Sequence, residues 1–210
     1  MKNQYIRITT IFLFHISSII SVFGQDLTTL DEKNGFKIFT INSEINNYAS
    51  DLVLLESTNE FSTYNYTKRN NSLFDLFDNH INSIHLTFDN NTKKLKKITL
   101  DIGKEYSVNH LTMLGWYLKK LYYNFEDIIG PTNQIRKPTS DCQNPNVSCK
   151  FFEDLVFDGK IIWEAQKLNL KITHKTKYDI KSDGKVVLNV INEVIFTDKD
   201  FDFKEKNSRF

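Results

Sequence analysis

The chain has 210 residues, of which 40% are hydrophobic and 25% charged, with a mean hydropathy of −0.40 and only 3 prolines and 7 glycines. This composition excludes a fibrous repeat and wholesale disorder, and a chain of this length buries roughly 70% of its unfolded surface. The formal charge is +1, so no global field points to nucleic acid, an anionic membrane or an acidic substrate.

Lys2 and Arg7 precede an apolar run over 8–23 that only Ser, Thr and His15 interrupt, and Val22-Phe23-Gly24 offers a small residue just before Gln25. This is the shape of a secretory signal, and it predicts export with removal of residues 1–24. The run is shorter and more polar than the roughly 20 apolar residues a membrane span needs. No cysteine lies near the cut to carry a lipid, and no later stretch is apolar enough to span. The mature chain is therefore expected to be soluble, secreted or periplasmic, and without a membrane span. Loss of Lys2 and Arg7 leaves 25 basic and 26 acidic residues, a net charge of −1.

The first expected element is a short helix after Ser43, with Ile45, Tyr48, Ala49 and Leu52 along one side. Further on, Tyr64 and Tyr66 share one face of a strand. Ile84, Leu86 and Phe88 alternate with polar residues, Asp89-Asn90-Asn91 turns the chain, and Ile98, Leu100 and Ile102 alternate again, which reads as a hairpin. The long helix is expected over 108–129. Leu111, Leu114, Leu118, Leu121, Phe125 and Ile128 recur at three and four, Ser107 suits the N-cap, and Gly130-Pro131 ends the pattern. Asp158-Gly159 and Asp183-Gly184 suit the positive φ angles of tight turns. Between them Leu168, Leu170 and Ile172 share a face, whereas Ile161 and Trp163 have the opposite parity, so a bulge is expected near 165–167. The last strand places Val186, Leu188, Val190, Val194 and Phe196 on one side, and 198–210 is a charged tail expected to fray.

The element order gives an α+β fold: antiparallel sheet with one long and one shorter helix packed on one face. It is read as one domain over 25–197, divisible into helix-then-meander half-units at 36–103 and 106–197. Cys142 and Cys149 lie in a loop rich in Pro, Asn and Ser, and in an exported chain they are expected to form a disulfide. The four Asn-x-Ser/Thr sequons are what so Asn-rich a chain carries by composition alone.

Chemistry-bearing motifs are sparse. The glycines are scattered, with no phosphate-binding loop and no nucleophile elbow. His80, His85, His110 and His174 show no chelating spacing and read as surface or partly packed residues. Glu126 with Asp127, Glu153 with Asp154, and Asp75 with Asp78 are acidic pairs whose members point in different directions. Asp198, Asp200 and Asp202 lack the Gly and Glu of a calcium loop. Lys93, Lys94, Lys96 and Lys97 flank a hairpin turn, where solvated lysines discourage edge pairing. No catalytic residue, cofactor or metal is assigned, and no nucleic-acid partner. Aromatics crowd the long helix nearly all round, so Trp116 and Tyr123 are the candidates for an exposed binding patch.

The helix ending in Gly130-Pro131, the loop after it and the Trp163-bearing strand resemble small bacterial envelope modules such as outer-membrane assembly lipoproteins and beta-lactamase inhibitor proteins. The resemblance covers 108–196, lacks the lipoproteins' acylated cysteine and transfers no functional residue. Taken together, these features favour an exported, non-enzymatic module that binds a protein or another envelope component. The alternatives are a hydrolase whose carboxylates converge only in the fold, and a carrier of a small apolar ligand.

Overall fold

A computed structural model describes residues 28–107, 111–130, 132, 134–136 and 158–201. The export signal, Cys142, Cys149, His110, Glu153, Asp154 and the tail beyond Phe201 lie outside the described residues.

The strictest alternation in the chain builds the centre of the sheet. Strand β7 (Ser83–Asp89) pairs antiparallel with β8 (Leu95–Asp101), and Ile84, Leu86, Phe88, Leu95, Ile98 and Leu100 are all buried. The connecting turn holds because the Asp89 Oδ1 accepts the backbone N–H of Asn91 at 3.0 Å and of Thr92 at 2.7 Å, while Lys93 takes φ 57°. On one side β7 pairs with β4 (Phe61–Tyr66), and β4 pairs with β3 (Leu52–Ser57) at the sheet edge. On the other side β8 pairs with the 13-residue strand β13 (Val186–Asp198), which runs along the 13-residue β12 (Leu168–Ile180) for its whole length. Beyond β12 come β11 (Asp158–Glu164) and β10 (Gln134–Arg136). A ninth strand, β9 (Lys104–Ser107), continues past β8 along the far half of β13.

Gly103 permits that break between β8 and β9. A Cβ there would stand 2.5 Å from the Val190 carbonyl oxygen, so only glycine lets the chain pass β13 so closely. The Asp101 Oδ1 accepts the Gly103 N–H at 2.8 Å, and Asn82 donates to the Gly103 carbonyl at 2.7 Å.

Two small hairpins accompany the sheet: β1 (Gly35–Phe36) with β2 (Phe39–Thr40), and β5 (Asp75–Leu76) with β6 (Asn79–His80). Among the described residues the α-helices are α1 (Thr28–Lys33) and α2 (Leu111–Ile129), with a helical turn at 199–201 after β13. The fold is thus α+β with β dominant, mostly one antiparallel sheet. The C-terminal half of α2 places Leu121, Tyr122, Phe125 and Ile129 in the core, where Tyr122 stacks on the fully buried Trp163 at 5.8 Å. The Trp163 Nε1–H donates to the Gly130 carbonyl at 2.9 Å, and Gly130, at φ 84°, ends the helix as its sequence position implies.

Four expectations are corrected. The helix after Ser43 is two 3-10 turns, Ile45–Asn47 and Ala49–Asp51; so short a segment does not hold an α-helix by itself, and Tyr48 instead turns its hydroxyl to Ser43 Oγ at 2.8 Å. Asp158-Gly159 is not a turn but the start of β11, because pairing with Lys175 and His174 of the long β12 outweighs local turn preference. The parity change at 165–167 is a complete chain reversal between β11 and β12 rather than a bulge. Asp198–Phe201 does not fray: the Asp198 Oδ1 accepts the N–H of Asp200 and of Phe201, each at 3.1 Å, and the buried Phe201 meets Phe61 edge-on at 5.9 Å.

Candidate functional site

The longest run of exposed apolar side chains among the described residues is in β3. Its sequence, Leu-Val-Leu-Leu-Glu-Ser, does not alternate, so apolar side chains fall on both faces of a strand that has only one side of the sheet to lean on. Leu52 is half-buried, but Val53, Leu54 and Leu55 are 53%, 54% and 53% exposed. The ladder with β4 runs Leu52 to Tyr66, Val53 to Asn65 and Leu54 to Tyr64, then skips Leu55 before resuming at Glu56 and Thr63. Leu55 is therefore the extra residue of a bulge. A bulge and a flanking charge such as Glu56 are ordinary means of blunting a sheet edge, yet three adjacent aliphatic side chains remain in solvent here. Among the described residues β4 is the only ladder partner of β3.

The expected aromatic patch is described for one member. Tyr123 is 44% exposed, its ring edge-on to Tyr122 at 5.2 Å. The Trp116 side chain lies outside the described residues. The neighbouring Tyr122 is buried and donates to Glu126 Oε1 at 3.0 Å; burial first, and that carboxylate second, push its phenol up to about 12.

A cavity of about 510 Å³ opens between α1, the two small hairpins, the end of α2 and the sheet. Its wall is built from Leu30, Phe36, Phe77, Phe125, Leu170 and Phe196, with Lys33, Lys37 and Asp75 at the rim. The Lys37 ammonium donates to the backbone carbonyls of Ser72 and Asp75, tying the first hairpin to the second. Phe77 and Asp78, the two central residues of the β5–β6 turn, sit at φ 51° and 64°. That conformation costs a residue with a Cβ about 1–2 kcal/mol, and here it places the Phe77 ring edge-on to Phe125 at 5.0 Å.

The remaining candidates disperse. His80 is exposed, His85 is half-buried on β7, and His174 is fully buried, which corrects its reading as surface or partly packed. His174 stands directly across from Asn192, and its Nδ1 donates to the Asn192 Oδ1; this polar pair interrupts the apolar stripe of β12 and β13. Lys96 is bound to Asp198 at 3.2 Å and to Asn42, while Lys93 and Lys94 stay in solvent. Asp75 and Asp127 are exposed, and Asp78 faces Lys120 at 3.8 Å. Among the described residues no three His, Cys, Asp or Glu side chains gather at a metal-sized site, and no helix is long and apolar enough to cross a membrane.

Sequence reasoning passed over Asp31. From α1 its Oδ2 accepts the Gln166 N–H at 2.9 Å, and its Oδ1 accepts those of Lys167 and Leu168 at 2.9 and 3.0 Å. Three successive backbone donors form a concavity that an anion fills, and here the carboxylate belongs to the chain itself. Comparison with known protein families, with curated proteins and with solved structures returned no match, so the expected resemblance of 108–196 to envelope modules gains no support.

Proposed function

We propose that the chain is an exported, non-enzymatic binding module that engages an extended segment of a partner protein at the β3 edge. The observation that carries this reading is the run of Val53, Leu54 and Leu55, each more than half exposed on an edge strand. An added strand satisfies the outward backbone groups of β3, and its own apolar side chains cover the three aliphatics. Main-chain bonds then supply affinity and alternate side chains supply selectivity. In this reading Trp116 and Tyr123 form a second, aromatic contact area, and the disulfide of Cys142 and Cys149 orders the long loop in an oxidising compartment.

The test is site-specific photo-crosslinking in the producing cell. A photoreactive residue at Leu54 is expected to give one discrete adduct, absent when the probe replaces the still more exposed Ile180 and lost when Leu55→Lys is added to the probe-bearing chain. The substitution lies on an exposed side chain, so the fold tolerates it, and a lysine on an edge opposes strand addition. Adducts of equal yield at 54 and 180, or an adduct that survives the Leu55→Lys change, refute the reading.

A further inference from the structure

We propose that the cavity beside α1 binds a single-chain amphiphile with an anionic head group, its alkyl tail inside and its head at Lys33 and Lys37. This is independent of the β3 edge. The wall is apolar and aromatic, and the volume of about 510 Å³ falls in the range of small-ligand sites. At about 30 Å³ for a water-sized unit, the space accommodates about seventeen such units, so a twelve-carbon chain with a carboxylate fills most of it without overpacking.

The rim gives the polarity. Two ammonium groups and one carboxylate, Asp75, leave an excess of one positive charge at the mouth. Two of the three Lys37 donors are spent on carbonyls, which fixes the ammonium at the mouth and leaves one N–H to meet an anion. Desolvation holds Lys37 below the ordinary lysine value even against the opposing pull of Asp75, and an anion seated at the mouth would shift it back upward.

The backbone supports a built site. Of the six non-glycine residues with positive φ among the described residues, Asn34, Lys37, Phe77 and Asp78 all lie in or next to the rim. Strained conformations persist where the surrounding structure over-determines them, and they cluster at ligand clamps. Here they aim the Phe77 ring inward and the Lys37 side chain across the mouth.

The test is calorimetric titration of the natively processed chain with dodecanoate, dodecyl phosphate, dodecanol and dodecyltrimethylammonium. Saturable 1:1 binding of both anions is expected, with dodecanol at least 10-fold weaker and the cation weaker still. Comparable affinity for the two anions assigns the site to the shared chemistry; a 10-fold preference for either assigns it to carboxylates or to phosphate esters. Lys33→Gln, an exposed change on α1, should weaken dodecanoate about 5-fold and leave dodecanol unchanged; Lys37→Gln should do the same more strongly. Ile128→Trp, which enlarges a half-exposed wall residue, should block all four. Absence of saturable binding, equal binding of anion and cation, or insensitivity to both Ile128→Trp and Lys33→Gln would overturn the proposal.

Discussion

Replacing Asp31 by alanine removes a carboxylate that holds three consecutive N–H groups of the reversal between β11 and β12. Gln166 and Lys167 are exposed, so water replaces two of these bonds and little is lost there. Leu168 is fully buried, and stranding its N–H costs about 1–3 kcal/mol. Alanine also frees α1 from the reversal, although Leu30 at 1% exposure still anchors that helix. The expected loss is therefore about 2–3 kcal/mol. Asparagine offers one acceptor oxygen and turns an N–H₂ group toward a donor, so Asp31→Asn should lose about 1–2 kcal/mol although its shape is nearly unchanged. Urea unfolding followed by tryptophan fluorescence measures both, as a fall in midpoint at constant slope. Amide exchange should accelerate at Gln166, Lys167 and Leu168 first. Stabilities of both variants within 0.5 kcal/mol of the parent, with unchanged exchange at those three amides, would refute the reasoning.

Gly103→Ala should destabilise by about 1–3 kcal/mol, seen in the same unfolding experiment, because the new methyl meets the Val190 carbonyl at 2.5 Å and backbone must shift. Asp78→Gly should stabilise by about 0.5–1 kcal/mol, since it relieves φ 64° and gives up only a solvent-exposed ion pair with Lys120 at 3.8 Å. A tyrosine ionisation near pH 12 should appear in a 295 nm titration, and that step should vanish in Tyr122→Phe. Its folded pKa lies above the unfolded value of 10, so its contribution is complete below pH 10 and is lost as pH rises toward 12.

What the chain spells locally, it spells clearly. The β7–β8 hairpin is legible because the Ile84-Leu86-Phe88 and Ile98-Leu100 alternations are strict and the turn carries its own Asp acceptor. The end of α2 is legible because Gly130 accepts a positive φ. The 165–167 reversal was visible as a parity break, but a bulge and a turn break parity alike; the discriminating contact comes from Asp31, more than 130 residues away. Asp158-Gly159 misleads for the converse reason, since its local preference yields to a long partner strand. Both candidate sites depend on neighbours the sequence does not name. Val53, Leu54 and Leu55 look like any buried strand until β3 is placed at the edge. The cavity needs residues from α1, two hairpins, α2 and the sheet at once. One signal was readable: in the β13 stripe only Asn192 is polar, and the gap marks the polar pair with His174.

The most direct test of the β3 account is hydrogen exchange on the chain while it holds the partner caught at Leu54, compared with the chain alone. Strand addition predicts that the β3 amides not bonded to β4 exchange at least tenfold more slowly in the complex, with amides around Tyr123 changing less. Protection gathered on α2 or around the cavity, with β3 exchanging at its free rate, would contradict it.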